Sequence, residues 1–330
     1  MMGNFLPKAL FLKKENTLSS SVVSVLDNIV SQAEIDKDYE VYKFANYRKE
    51  GTLIEAYNRG GSREVERIAR ETLQPYMYDN GEGTVVSELE YLHWRHRKKD
   101  EVAIPVDSLM SSASRLANVN PEERRICWKL EFRGMLGESL LHVLIMCNTS
   151  MHARIARVLL KIYPHLAWDI IEGEEYFGAS ALHLSIAYNI WDLVLLSVEG
   201  GANINQRATG RFFMPYDQQR PSPKKQTDFE GLCYMGEYPL AWAACCEDET
   251  AYNMLLRRGA DPNLQDTLGN MILHVVVIRD KLKMYGYALR HPTKPAKDNI
   301  LNCCGLTPLT LACKLGRNNI FREMLELSAL

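Results

Sequence analysis

A chain of 330 residues with 46% apolar and 24% charged side chains has the material for a large buried core and excludes wholesale disorder. Its 39 basic and 41 acidic residues leave a net charge of -2, which gives no electrostatic reason to expect nucleic acid or an anionic partner. The eight cysteines (127, 147, 233, 245, 246, 303, 304 and 313) form no CxxC pair or zinc-finger spacing, and reduced thiols in a cytosolic compartment are the expectation.

Residues 1–40 open with MMGNFLPKALFLKKENTL, a short apolar run without a basic leader or a small-residue cleavage site. Gly3 is misplaced for N-myristoylation, so a partly disordered N-terminal segment is expected. Residues 41–80 read as two helices around the Gly60–Gly61 turn, a degenerate first repeat. Residues 81–130 read as an insertion. Its EYLHWRHRKKDE stretch carries a basic run from Arg95 to Lys99 and the pair His93 and His96. No third ligand is near in sequence, so a solvated or subunit-contacting helix is favoured over a shared metal. Residues 106–125 read as a loop with a helix start at Pro121.

From 131 to 330 one pattern recurs, Gly-x-x-x-Leu followed by a short helical run. It begins at Gly137, Gly178, Gly236, Gly269 and Gly305. The interval from Gly236 to Gly269 equals the period of an ankyrin repeat, about 33 residues, and the other intervals add insertions. In the Gly236 copy the glycine permits a tight turn, and Pro239 occupies a first-turn position where its missing N–H costs nothing. Pro308 does the same in the last copy. Leu240, Ala243 and Ala244 suit a closely stacked inner helix, and Met254, Leu255 and Leu256 form the ridge of an outer one. Arg257 and Arg258 before Gly259 match a glycine stop with cations at the negative helix end. His142, His183 and His274 hold the sixth place in three copies. They lie in separate repeats, so each is expected to bond turn backbone within its own repeat rather than to share a metal. The vicinal Cys245–Cys246 pair falls at the end of an inner helix and is expected to pack there. The fold class expected is all-α, an ankyrin-repeat solenoid of about six repeats with long inter-repeat fingers.

The longest departure from the period is a finger over 206–235, QRATGRFFMPYDQQRPSPKKQTDFEGLCYM. Pro215, Pro221 and Pro223 argue against regular structure in its middle, while Phe212–Phe213 and Tyr234–Met235 bracket it with apolar anchors. A long loop with apolar roots packs on its scaffold and exposes its tip, so Phe212, Phe213, Tyr216, Arg220 and Tyr234 are the candidate interface residues. The most apolar long window, 181–198, is interrupted by His183, Asn189 and Asp192 and cannot span a membrane.

These residues resemble the cytoplasmic ankyrin domain of vanilloid-type transient receptor potential (TRPV) cation channels. The likeness rests on Gly210, Phe212 and Phe213 opening the finger, and on Tyr234, Gly236, Glu237, Pro239, Leu240 and Ala243–Cys245 after it. Asp266, Gly269, Asn270, Leu273 and His274 carry it into the next repeat. It covers about 42–330, and the insertion with the WKLEFRGMLGESLLH stretch is closest to the invertebrate Nanchung/Inactive-like branch. The resemblance implies a tetrameric, calcium-permeable, non-selective cation channel used in sensory transduction. Its repeats would face the cytoplasm under the plasma membrane, or its ciliary extension, and contact other channel subunits through the fingers. The pore, the linker and the membrane spans are not in this sequence, and the last repeat is expected to lack a polar cap at Leu330. Calmodulin is a partner by analogy only, since no basic amphipathic target helix is evident. The family's ATP site is not expected, because Glu138, Val143 and Ala179 stand where lysines and a glutamine would be needed.

The alternative is a soluble ankyrin adaptor that binds a partner peptide on its concave surface. Enzyme chemistry is not indicated. Walker loop, nucleophile elbow and HExxH motifs are absent, and the Glu122–Glu123 and Glu174–Glu175 pairs sit in loops or helix starts. No catalytic residue, metal ligand or cofactor is therefore expected.

Overall fold

The computed structural model describes residues 39–46, 51–86, 91, 124–220, 222–224, 226–229 and 234–328. The expectations for residues 1–38, for the His93/His96 helix and for the loop and helix start at 106–123 fall outside these residues.

Helices come in antiparallel pairs. Each Gly-x-x-x-Leu motif opens an inner helix: α3 (Leu140–Cys147), α5 (Ala181–Ala187), α7 (Pro239–Cys245), α9 (Ile272–Ile278) and α11 (Pro308–Lys314). Each is followed by an outer helix: α4 (Ser150–Ile162), α6 (Trp191–Glu199), α8 (Glu249–Arg257), α10 (Leu282–Leu289) and α12 (Asn318–Ser328). Successive inner helices pack on one another from α3 to α11, and α4 packs on α6 and α10 on α12. Helices of seven or eight residues would not form alone in water; they persist because nearly every side chain of α3, α5, α7 and α9 is buried. Thr149, Asp248 and Thr307 cap α4, α8 and α11 by accepting a backbone N–H.

The five turn glycines all have positive φ, from 69° to 84°. At some of them the requirement is steric as well as torsional: a Cβ on Gly178 would lie 2.0 Å from the Arg207 carbonyl oxygen, and one on Gly269 would lie 2.5 Å from the Cys303 nitrogen. A second left-handed position, which the motif search did not register, lies eleven residues after each turn glycine. Asn148, Asn189, Glu247, Asp280 and Gly316 occupy it and turn the chain from inner to outer helix.

The first 40 or so described residues differ from expectation in part. The inner partner is a short helix, α1 (Val41–Ala45), which packs on α3. The helical run after it, α2 (Thr52–Thr72), is broken at Gly61, whose φ of 64° and ψ of -149° are non-helical. It consists of two helical segments around Gly60–Gly61, as expected, and it packs on α4. The expected helical fold holds apart from one short ribbon. Within the insertion β1 (Thr84–Val86) pairs antiparallel with β2 (Arg124–Ile126), Val85 opposite Arg125. The fold is thus mostly helical with a small two-stranded ribbon.

Arg133 fixes that ribbon to the repeats. Its side chain and that of Asp169 are fully buried and 2.8 Å apart, and it also donates to the Ile170 and Gly137 carbonyls. Asp169 in turn accepts the Cys127 and Trp128 amides. Burial lifts the Asp169 carboxyl to about 6 despite the guanidinium and the two amide donors.

Candidate functional site

The finger begins by pairing with the turn of the preceding repeat. Thr209 and Gly210 both donate to the Phe177 carbonyl at 2.9 Å, Arg211 to Glu174 and Phe212 to Glu175. A Cβ on Gly210 would lie 2.4 Å from the Phe177 nitrogen, so glycine is the residue that allows this approach. One tight turn, Arg211–Phe213, then drives two rings inward. Phe212 packs against Tyr176 at 4.8 Å with the rings tilted by 42°, and Phe213 meets Trp242 edge-on at 5.1 Å. Trp242 is itself fixed by its indole N–H on the Gly236 carbonyl and by the His183 ring at 4.9 Å.

The far side of the finger is rooted through a polar network. Tyr234 is fully enclosed and its hydroxyl bonds the Asp266 carboxylate, while Asn270 donates to the same hydroxyl at 2.7 Å. Asn302 extends the chain by donating to Asn270 at 2.9 Å. Asp266 also accepts the Leu268 and Asn270 amides. Burial, with the charge of Glu237 nearby, raises the Asp266 carboxyl. Arg207 closes the base, donating to Glu237 at 2.7 Å and to Thr267 at 2.9 Å. Three repeats therefore hold one finger.

Beyond these roots the loop is tied by Asp217. Its buried carboxylate accepts the Thr227 hydroxyl and the Asp228 amide, both at 2.9 Å. This joins the outgoing and returning strands, and Pro215 is buried beneath them. Tyr216, 52% exposed, and Arg220 stand outside the clamp.

The five finger residues named from the sequence thus divide. Phe212, Phe213 and Tyr234 are core. Tyr216 and Arg220 are surface. Sequence reading missed Arg207 and Asp217, and named Glu237 only as part of the family likeness. A polar residue three places before the turn glycine, as in Asp266 and Asn302, is the pattern that marks where the network runs.

The histidines also depart from expectation in part. His142, His183 and His274 each accept the backbone N–H of Ser139, Ser180 and Met271 on Nδ1, within their own repeat. That places the proton on Nε2, which in His183 donates to the Glu237 carbonyl at 3.1 Å and in His274 to Leu306 at 2.9 Å. Both acceptors belong to the following repeat, so the imidazole is a tie between repeats. Burial depresses His183 to about 4 and keeps it neutral. His142 has no such acceptor on Nε2. Among the described residues no group of three or more His, Cys, Asp or Glu side chains is placed to hold a metal ion. Cys245 and Cys246 are buried thiols, and Cys245 faces the Met235 carbonyl. Glu138, Val143 and Ala179 are all buried, and Glu138 accepts from Tyr42 and the Leu136 amide. No helix among the described residues is long and apolar enough to cross a membrane.

Residues 228–329 match the family model for ankyrin repeats, in three copies. The chain is 32% identical over 206 residues to the human transient receptor potential cation channel subfamily V member 6, covering 60% of this chain and 25% of that protein. It is 37% identical over 171 residues to subfamily V member 2 of mouse, covering 46% of this chain and 21% of the relative. Subfamily V member 4 of rat is 33% identical over 167 residues, 46% and 18% of the two chains. The chain spans about a quarter or less of the length of these relatives. It carries ankyrin repeats and is homologous, over that region, to cation channels of transient receptor potential subfamily V.

Proposed function

We propose that this chain is the cytoplasmic ankyrin-repeat region of a TRPV-like, calcium-permeable, non-selective cation channel. Its helix pairs form a solenoid of about six repeats, with residues 41–80 as the first. It serves subunit assembly and the regulation of gating in sensory transduction, at the cytoplasmic face of the plasma membrane or a cilium. Its partners are other TRPV-like subunits in a homo- or heterotetramer, and within that group we assign it to the Nanchung/Inactive-like branch. Calmodulin is a partner by the same likeness. The observation that carries this reading is the rooted finger in a chain homologous to channel subunits. Its aromatic roots are buried across three repeats, and Tyr216 and Arg220 are left at an exposed tip.

A photo-crosslinking residue placed at Tyr216 in the full-length gene product, expressed in its own cells, tests it. Cross-linking to another channel subunit supports the proposal. Cross-linking only to proteins that are not channel subunits, with no calcium-permeable current from the full-length product, refutes it and favours the adaptor.

A further inference from the structure

The docking role leaves one feature of the finger unused. In Arg220-Pro221-Ser222-Pro223-Lys224-Lys225, Ser222 stands directly before a proline, with lysines two and three places on. Of the 13 prolines in the chain, only Pro223 and Pro308 follow a serine or threonine, Ser222 and Thr307 respectively. The structure presents these two in opposite ways. Ser222 is exposed, and so are Arg220, Pro223, Lys224 and Gln226 around it. The ring of a following proline excludes the helical region for the residue before it, so Ser222 is confined to extended or polyproline conformations. The Asp217 clamp fastens the chain on both sides of this run, through Thr227 and Asp228, and Gln218 donates to the Lys224 carbonyl at 3.1 Å. Ser222 and Pro223 are thus solvent-facing, with the chain tied on either side of them. Thr307 instead caps α11, its hydroxyl accepting the Thr310 amide at 3.3 Å, and Pro308 is buried in the first turn.

We propose that Ser222 is a phosphorylation site for a proline-directed serine/threonine protein kinase that uses ATP. The Ser222 Oγ attacks the γ-phosphorus of the nucleotide and the bond from that phosphorus to the β–γ bridging oxygen breaks. ADP leaves, and the hydroxyl proton passes to the kinase's catalytic carboxylate. Such a kinase takes its substrate as an extended strand. Proline's missing N–H suits a next position that offers no acceptor, and the lysines supply cations beyond it.

The modification has a local electrostatic consequence. Between 214 and 229 the charged residues are Arg220, Lys224 and Lys225 against Asp217 and Asp228, one cation in excess. A phosphate adds about −2 charges, so the tip changes sign. It also lies two residues from Lys224, whose ammonium now bonds Asp228 at 3.1 Å, and competes for that cation. If the finger is the docking element proposed above, on which this last step rests, phosphorylation changes what the tip can dock against.

The test is to incubate the 330-residue chain with ATP and a purified cyclin-dependent kinase, a class that requires proline next and a cation three places on. Intact and peptide mass spectrometry then locates the phosphate. One phosphate on Ser222, lost in Ser222→Ala and in Pro223→Ala, with Thr307 unmodified, is expected. No incorporation, or incorporation that persists in Ser222→Ala, overturns the proposal. This readout involves no partner, so its failure is separate from that of the docking role, which the Tyr216 cross-link reports.

Discussion

Replacing Phe213 by alanine separates a finger that is part of the core from one that is merely appended to it. Phe213 is 2% exposed, and its ring lies 5.1 Å from Trp242, 5.6 Å from Phe212 and 6.0 Å from Tyr176. Truncating a buried phenylalanine costs about 3–5 kcal/mol, a range that already contains the lost ring contacts. Three aromatic neighbours from separate stretches of chain cannot all collapse into the space, so about 4 kcal/mol is expected. Because each repeat touches only its neighbours, the loss should fall on the joint between the Gly178 and Gly236 repeats. Urea unfolding read by tryptophan fluorescence gives the magnitude, and hydrogen exchange at the Phe212 and Trp242 amides gives the place. Tyr216→Ala, at an exposed position, should stay within about 0.5 kcal/mol. A Phe213→Ala protein within about 1 kcal/mol of wild type, or a Tyr216→Ala protein equally weakened, would refute the reasoning.

Four further outcomes are expected. His183→Gln removes the Nδ1 acceptor of the Ser180 amide and the rigid ring that aims a donor at the Glu237 carbonyl, and should destabilise by about 1–3 kcal/mol at neutral pH. The folded imidazole is depressed from 6.5 to about 4, so the unfolded chain takes up the proton first and the wild type loses stability as pH falls through that window. The glutamine variant lacks this loss, and the gap between the two melting curves should narrow from pH 6.5 to 4. Asp217→Ala should speed hydrogen exchange at the Asp228 amide by about 1.5–3 kcal/mol of local stability, with exchange in α9 and α11 unchanged. Arg133→Met strands the buried Asp169 carboxylate and should cost about 3–5 kcal/mol in urea unfolding. Asn189 is exposed with φ of 57°, so Asn189→Ala should cost about 1–2 kcal/mol and Asn189→Gly much less.

The repeat was legible because its glycines answer to backbone sterics, which leave a mark in any single copy. Gly178 and Gly269 could be placed from spacing alone, and so could Pro239 and Pro308 at the first turn of their helices. The second left-handed position was hidden because Asn148, Glu247 and Gly316 share no side-chain chemistry, only a torsion angle. The finger's roots were visible as aromatic pairs, but their depth was not. Phe212 and Tyr216 are equally plausible surface residues in a proline-rich loop, and burial is decided by Tyr176 and Trp242, which come from distant parts of the chain. The Arg133–Asp169 pair was out of reach for the same reason: 36 residues separate the partners, and neither stands in a repeat motif. Helix α1 carries none of the glycine or proline signals that located the other inner helices.

The histidine ties run in one direction only. His183 and His274 give their protons forward, to a carbonyl in the repeat that follows, and take nothing back from the repeat before. Shortening the protein is consequently not symmetric. Cutting after the Gly269 repeat strips His274 of its acceptor and leaves that proton at a newly uncovered apolar end. Cutting before the Gly178 repeat orphans no imidazole, because His142 leaves with its own repeat and gives no proton across that boundary. The stack has a grain, and fragments for study keep their ends intact when they are trimmed from the amino-terminal side.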